Sequence, residues 1–491
     1  MTLSWSSSTE GLLTIWLLVP YLAAFLAVLL PSLSHGLVLL CCSATAFVGA
    51  EVLLSASSTQ VQLLGPLGVS LSLEPLAGWF LLLNGLVCLA VWLEAQRQGW
   101  DRTGWMLLLV LLGSLNTSFL TTDLISLYVS LEVVGISAFL LVLKGETANA
   151  HWIALRYLLI GNTAMAIYLM GAGLVYAQAG SFQFEALAKL LPGAPLVLVL
   201  VGLLAKAGVF LNGLWLPRTH AEAPAEISAL LSGVVVGGGA LPLLRLEQLN
   251  SSIGELLLPI GLGSAVLGLI YALGVNDAKR LLAWSTLAQM GLVLLSPAAG
   301  GLLAFSHGLA KGGLFLTARH WPSRSLSVWR NQPLAWPVLL PVWIGSLSIA
   351  GLAPLLGYAA KKQLESSVRP DIATLLVVLS VGSVAVYCRL CRAPWARAKA
   401  SQAPGNAWPW GAWLLMLPLL IGGLRLVGQV QSGWLISLAV LLLGVGLDLL
   451  LERWRQQELR PLPSLDRLPD LIGGLGLVGA GLLLALGSGV V

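Results

Sequence analysis

Charge is scarce in this chain. Asp, Glu, Lys and Arg make up only 10% of its 491 residues, and apolar types reach 57%. Soluble domains carry about 25% charged residues, so a soluble globular enzyme is excluded. Disorder is excluded as well, because it needs low hydrophobicity. The 26 basic and 21 acidic residues leave a net charge of +5, and no basic run alternates with aromatics, so nothing marks a nucleic-acid surface. Cysteine is sparse too. Cys41, Cys42, Cys88, Cys388 and Cys391 lie in apolar stretches, with neither a disulfide framework nor zinc spacing. The C-x-x-C of Cys388 and Cys391 reads better as buried small residues than as a redox or metal pair. Long polar segments are also missing. The longest lie around 392–409 and 452–468, too short for a soluble domain. No cofactor is expected, and any redox cofactor domain must belong to another chain.

What the chain does have is long apolar runs. A helix needs about 20 apolar residues to cross a bilayer. Runs of that kind fall at 11–31, 35–55, 73–94, 105–120, 124–143, 153–178, 194–215, 225–245, 255–274, 281–298, 300–318, 335–357, 371–391, 410–428, 433–451 and 469–489. None alternates apolar with polar residues, as the strands of a membrane barrel would. Helices also satisfy their own backbone in lipid. The expected fold is therefore an all-α polytopic membrane protein with about 14–16 transmembrane helices. The first run has no basic flank and no small-residue cleavage site, so it is expected to be a retained helix. Lysines and arginines concentrate after odd-numbered runs, among them Arg97, Arg218, Lys279, Arg319, Arg389 and Arg453. The positive-inside rule then puts the odd loops in the cytoplasm and both termini outside.

Four ionisable residues sit deep inside these runs: Glu132, Lys206, His307 and Lys311. A charge at the bilayer centre costs about 2.5–3.5 kcal/mol on insertion scales, and such residues usually mark an ion or proton path. His307 and Lys311 are four apart and share a helix face. A static ion pair of Glu132 with Lys206, or a hydrogen-bonded packing role for His307, is the competing structural explanation. Glu51 and Asp448 lie near run ends and are expected to reach out to the headgroups.

The backbone adds a second signal. The seventh run continues into a stretch with Pro217 and Pro224, and the twelfth meets Gly351, Pro354 and Gly357. Both read as interrupted helices, and interruptions at corresponding places in two halves point to a transport site. Runs four to eight and nine to thirteen each hold five helices with the fourth interrupted, which predicts two inverted repeats. The expected organisation is N-terminal helices over 1–104, half-channels over 105–245 and 255–391, and C-terminal helices over 392–491.

These segments resemble a known family. KAGVFLNGLWLPRTHAEAPAEISALLSG, from Lys206 to Gly233, resembles the signature of antiporter-like, proton-translocating membrane subunits. That family includes the large membrane-arm subunits of respiratory complex I, their hydrogenase relatives, and the A-type and D-type subunits of Mrp cation/proton antiporters. SLEVVG around Glu132, NDAKRLLAWSTLAQMG from Asn276, SHGLAKGGLFL from Ser306, GLAPLLGYAAKK from Gly351 and VAVYCRLCR from Val384 resemble its other segments. The resemblance runs from about 115 to 392. It implies that Glu132 and Lys206 are the acid–base pair of the first half-channel, that His307 and Lys311 belong to a central polar axis, that Lys361 is a motif lysine among the relay residues, and that His220, Asp277 and Lys279 cap or gate the channel. The sequence departs from the family at Gly237, where a lysine is usual, and at Leu211, Asn212 and Gly213. Either a water chain beside Gly237, Gly238 and Gly239 replaces that lysine, or the glycines let another helix pack closely.

The resemblance leans toward the D-type Mrp subunits. It implies a proton-translocating subunit of a multisubunit Na+/proton antiporter. The alternative is a proton-pumping membrane-arm subunit of an NAD(P)H- or ferredoxin-quinone oxidoreductase, in which this chain would not be an enzyme by itself. Expected partners are other membrane subunits, protons, Na+ or another monovalent cation, and lipid, with no nucleic acid. The expected location is a cell membrane, inner or plasma, or another energy-coupling membrane.

Overall fold

The computed structural model describes every residue except 1–6, 64–67, 146, 330, 397–407, 428–433, 456–461, 466 and 488–491. Residues 428, 433 and 488–489 of the apolar runs, and both chain ends, lie outside the described residues. The helices, in order, are α1 (Ser7–Leu29), α2 (Ser34–Ser55), α3 (Pro75–Ala95), α4 (Arg102–Leu120), α5 (Leu124–Val142), α6 (Ala148–Ala179), the short α7 (Phe184–Lys189), α8 (Ala194–Ala207), α9 (Leu216–Glu222), α10 (Ala225–Leu230) and α11 (Gly237–Leu249). They continue as α12 (Ser252–Gly274), α13 (Ala278–Val293), α14 (Pro297–Thr317), the single turn α15 (Leu326–Trp329), α16 (Trp336–Ala350), α17 (Leu356–Ser367), α18 (Pro370–Cys388), α19 (Trp410–Val427), α20 (Trp434–Arg455) and α21 (Leu468–Gly487). Each of the sixteen apolar runs coincides with one of these helices or, for the eighth, with α10 and α11 together. Among the described residues, 11 helices are long and apolar enough to cross a membrane, or up to 12 if the bent α8–α9 pair is one span. α16 and α19 are apolar but shorter.

Local chemistry sets where several helices begin. The side chains of Asp101, Asp123, Thr147 and Asp277 each accept a hydrogen bond from the backbone N–H three residues on, at the starts of α4, α5, α6 and α13. This satisfies a donor the helix itself cannot. On one face of the molecule a small antiparallel hairpin, β1 (Thr59–Gln62) with β2 (Ser70–Leu73), is clamped to the bundle. Arg245 at the end of α11 pairs with Glu74 at 2.6 Å and donates to the carbonyls of Thr121 and Ser72, each at 3.0 Å.

The α10–α11 span is the centre of the molecule. All of its most apolar window is buried, against 17% of the window in α20. The outer helices α1, α2, α20 and α21 leave large apolar side chains such as Phe25, Phe47, Leu442 and Leu484 exposed, which suits lipid contact. Asp448 does not reach out from its helix as expected. It is 2% exposed and pairs with Arg392 beyond the end of α18, so it ties α20 to the bundle.

Both expected breaks are present. α8 stops at Gly208, whose φ of +68° favours glycine, and the chain resumes as α9 after a short 3-10 turn, bent by 44°. α16 stops at Gly351, with φ +81°, and resumes as α17. The twelfth run therefore ends as a helix at Ala350, earlier than its apolar length predicts. At the first break the Ala205 carbonyl in the last turn of α8 accepts from Trp215 at 2.9 Å, and Asn212 donates to the Val201 carbonyl a turn further back at 3.2 Å. A third irregularity was not legible in the sequence. A π turn, Leu231–Val235, joins α10 to α11, and such turns are frequent at functional sites.

Candidate functional site

The breaks put side chains into the bundle interior where a continuous helix would leave only backbone. Lys206 lies in the last turn of α8, just before the first break. Its Nζ stands 3.8 Å from Oε1 of Glu132 on α5 and donates to the Leu131 carbonyl at 3.2 Å. That Oε1 is buried without a hydrogen-bond partner among the described residues. The pair is thus close enough for strong mutual attraction and too far apart for a hydrogen bond. Both side chains keep some exposure, 10% for Lys206 and 20% for Glu132. Beside Lys206 is a small cavity of about 20 Å³ lined by Val134, Tyr157, Gly161, Trp215 and Val235 among others. That is enough for about one water.

A second cluster surrounds Lys311. This residue is fully buried in α14. Its Nζ donates to the Leu282 carbonyl at 2.6 Å and to Oγ of Ser285. Ser285 Oγ is in turn 2.7 Å from the Tyr387 hydroxyl, and the Tyr387 ring centroid is 5.4 Å from Nζ. The Leu282 carbonyl also accepts from Thr286 Oγ1 at 3.0 Å, and Thr286 pairs with Ser232 of the π turn at 2.7 Å. The cluster therefore links α10–α11, α13, α14 and α18. No carboxylate pairs with Lys311 among the described residues, so proton exchange there breaks no ion pair. Ser285, Thr286 and Tyr387 complete this site. The sequence signals for them are the serine-rich stretch after Asn276 and the tyrosine before Arg389.

Two buried histidines, His307 and His220, have no hydrogen-bond partner at either ring nitrogen among the described residues. His220 stacks on Phe315, with ring centroids 4.8 Å apart. It lies within electrostatic reach of both Lys279 and Lys311, and His307 within reach of Lys311. Lys279 is buried and donates to the Ala223 carbonyl beside the break. Lys361 is buried at the second break, donating to the Ala350 carbonyl at 3.1 Å and Ser380 Oγ at 3.3 Å. A small cavity of about 20 Å³ beside it also touches Lys362, Glu365 and α20.

Asp277 is placed differently from the others. It caps α13 through the Arg280 N–H at 2.9 Å and pairs with the half-exposed Arg324 at 2.7 Å. Its contacts are those of a helix cap rather than of a channel group.

The glycines after the π turn are packed. A Cβ on Gly237 would stand 3.0 Å from the ring of Phe80 and 3.6 Å from that of Phe119. A Cβ on Gly239 would stand 2.3 Å from the Ala207 nitrogen. The space beside Gly237 is aromatic and dry in character, and Gly239 lets α11 lie directly on α8. Of the two alternatives open from the sequence, close packing is the one observed.

With this geometry in hand the comparisons are specific. Residues 121–385 match the family described as NADH:quinone oxidoreductase/Mrp antiporter, TM, which covers both helix breaks and the clusters around Glu132, Lys206 and Lys311. The chain belongs to this family. It is 32% identical over 331 residues to NADH-quinone oxidoreductase subunit N of Desulforudis audaxviator, covering 60% of this chain and 66% of that protein. It is 29% identical to hydrogenase-4 component B of Escherichia coli, over 62% of this chain and 53% of that one. The chain thus spans less than two thirds of the length of each of these relatives. A match to the D-type Na(+)/H(+) antiporter subunit of Bacillus subtilis is 24% identical, over 73% of this chain and 80% of that one. The fold is shared with a chain of an archaeal respiratory membrane complex, the membrane-bound sulfane sulfur reductase, at a TM-score of 0.75 and 19% identity, covering 94% of this chain and 99% of that one. It is also shared with a chain of the Mrp complex from Dietzia sp., at 0.71 and 19%, covering 97% and 99%.

Proposed function

We propose that this chain is a proton-translocating subunit of a multisubunit cation/proton antiporter of Mrp type. The observation that carries the reading is the Glu132–Lys206 pair, 3.8 Å apart beside a water-sized cavity at a helix break. Burial disfavours a charged ammonium, and an ionised carboxylate nearby restores it. Moving the Glu132 carboxylate away, or bringing a cation beside it, releases the proton of Lys206 to the cavity. A change in pair geometry thereby becomes a proton transfer. Lys311, His307 and Lys361 serve as further proton-carrying positions, with His220 and Lys279 controlling access. The halves 105–245 and 255–391 act as two half-channels in inverted orientation. Other membrane subunits complete the assembly, and Na+ or another monovalent cation is the coupled ion. The loops after odd-numbered apolar runs face the cytoplasm.

The higher identity to the subunit N relative favours a second reading, a membrane-arm subunit of a quinone oxidoreductase. Purification from native membrane separates the two. Co-purified iron–sulfur subunits point to the oxidoreductase, and their absence together with Na+-dependent proton flux points to the antiporter. Either reading requires that Glu132→Gln abolish coupled proton movement in sealed vesicles while the complex still assembles. Unchanged flux would refute both.

A further inference from the structure

The packed glycines leave Lys311 without an evident supply from the Lys206 side. α11 runs between the two lysines, touching α8 at Gly239, while the preceding π turn touches α14 at Gly233 and Gly308. Where the family carries a lysine, this chain has Gly237 faced by Phe80 and Phe119. Protons that reach Lys311 therefore need an entrance of their own.

A group of titratable side chains gathers around the junction of α9 and α10, between the half-exposed Arg319 and α14, which carries Lys311. Its outermost acid is Glu226, in the first turn of α10. The residue is 2% exposed, yet its carboxylate is contacted by Arg319 at 3.5 Å, and the Arg319 side chain is 52% exposed. Gln98, just beyond α3, donates to the same oxygen, Oε1. Lys279 is buried, donates to the carbonyl of Ala223, three residues before Glu226, and lies within electrostatic reach of Glu226 and Glu222. His220, with neither ring nitrogen satisfied among the described residues, stacks on Phe315, one turn along α14 from Lys311, and lies within electrostatic reach of Lys279 and Lys311. A buried imidazole without partners is costly unless something uses it. Glu94, near the end of α3, is the remaining buried acid of the group. It lies within electrostatic reach of Glu226, Arg97 and Arg319, but its Oε1 is occupied by the Gly411 N–H at 2.8 Å, at the start of α19.

We propose that Glu226 is a proton-loading carboxylate, and that it feeds Lys311 through Lys279 and His220 independently of the Glu132–Lys206 pair. Glu226 takes a proton from water at the Arg319 mouth, forming its O–H bond. That bond breaks as the proton passes, through water, to the neutral amine of Lys279. Lys279 hands it to His220, and His220 to Lys311, each donor returning to its unprotonated form. Arg319, 3.5 Å away, and Gln98 hold the carboxylate in place between turnovers. Glu94 anchors α19 and is not in the line. The inference rests on the proposed proton-translocating function.

The test uses the assembled complex in sealed inside-out vesicles, which turn the Arg319 face to the medium if the charge bias sets orientation. Initial proton-uptake rates per assembled complex are measured across external pH for Glu226→Gln, Glu226→Asp, Arg319→Ala and, as a control on the underlying function, Glu132→Gln. Glu226→Gln is expected to lower the rate about tenfold, with water as the residual carrier. The loss should grow as external pH rises and protons become scarce, and Glu226→Asp should restore most of the rate. If Glu226 merely pins Gln98 and Arg319, Arg319→Ala will match Glu226→Gln and neither will change the pH profile, which overturns the proposal. A normal rate and profile in Glu226→Gln, with flux abolished in Glu132→Gln, overturns the entrance while the function stands. Normal flux in both variants overturns both.

Discussion

Lys361 crosses the second helix break to donate to the carbonyl of Ala350, 3.1 Å away, the last helical residue of α16. At the first break a neutral side chain, Trp215, answers the Ala205 carbonyl in the last turn of α8. A lysine here is thus both a proton-carrying candidate and a helix cap.

The two roles of Lys361 separate by substitution. Lys361→Met should leave the Ala350 carbonyl unanswered and destabilise the protein by about 1–3 kcal/mol. Lys361→Gln keeps a donor and should recover much of that stability, read as the thermal midpoint in detergent. It cannot carry a proton, so coupled flux should remain low. Wild-type flux in the glutamine variant would reduce Lys361 to a cap.

Gly237 and Gly239 should respond in opposite ways. Gly239→Ala drives a Cβ to 2.3 Å from the backbone of Ala207, and overpacking of this kind costs about 1–3 kcal/mol. Assembled complex should fall. Gly237→Ala meets only the edge of the Phe80 ring at 3.0 Å, a side chain that can give way, and should assemble nearly normally. Gly237→Lys, which reinstates the family residue, should lower assembly without raising flux, because its ammonium would enter an aromatic pocket. A faster rate in that variant would show that a wet path exists there.

Asp277 should behave as a structural residue. Asp277→Ala removes the α13 cap at a cost of about 1 kcal/mol, while Asp277→Asn keeps a capping oxygen and should be nearly neutral. The flux per assembled complex should be unchanged in both, measured alongside the thermal midpoint. A drop in flux in the asparagine variant would return Asp277 to the channel.

The Glu132–Lys206 pair should matter far more for transport than for stability. The ions are 3.8 Å apart, both side chains keep some exposure, and Lys206 retains the Leu131 carbonyl when Glu132 is removed. Glu132→Gln should therefore cost less than the ~3–5 kcal/mol of breaking a tight buried pair, visible as a modest shift in thermal midpoint. A large loss of stability would favour a static packing pair over a working one.

Hydropathy alone determined the membrane class and the places of the apolar runs, because the requirement to satisfy the backbone in lipid leaves only helices for such segments. Glycine and proline punctuation located both breaks, since Gly208 and Gly351 occupy left-handed backbone that other residues rarely adopt. Intramembrane charge marked Glu132, Lys206, His307 and Lys311, because such charges are too costly to be incidental. What stood beside each residue was decided only in three dimensions. The sequence left Gly237 open between a water site and a packing contact. The answer came from Phe80 and Phe119, more than a hundred residues away, whose rings fill that space. Asp277 matched a channel motif, yet its carboxylate is taken up by the first turn of its own helix and by Arg324. Nothing in the sequence marks Glu226; Gln98, Arg319 and Lys279 are brought around it from three other parts of the chain. Helix type and position follow from local chemistry, but the partners of a buried polar group depend on which distant helices pack against it.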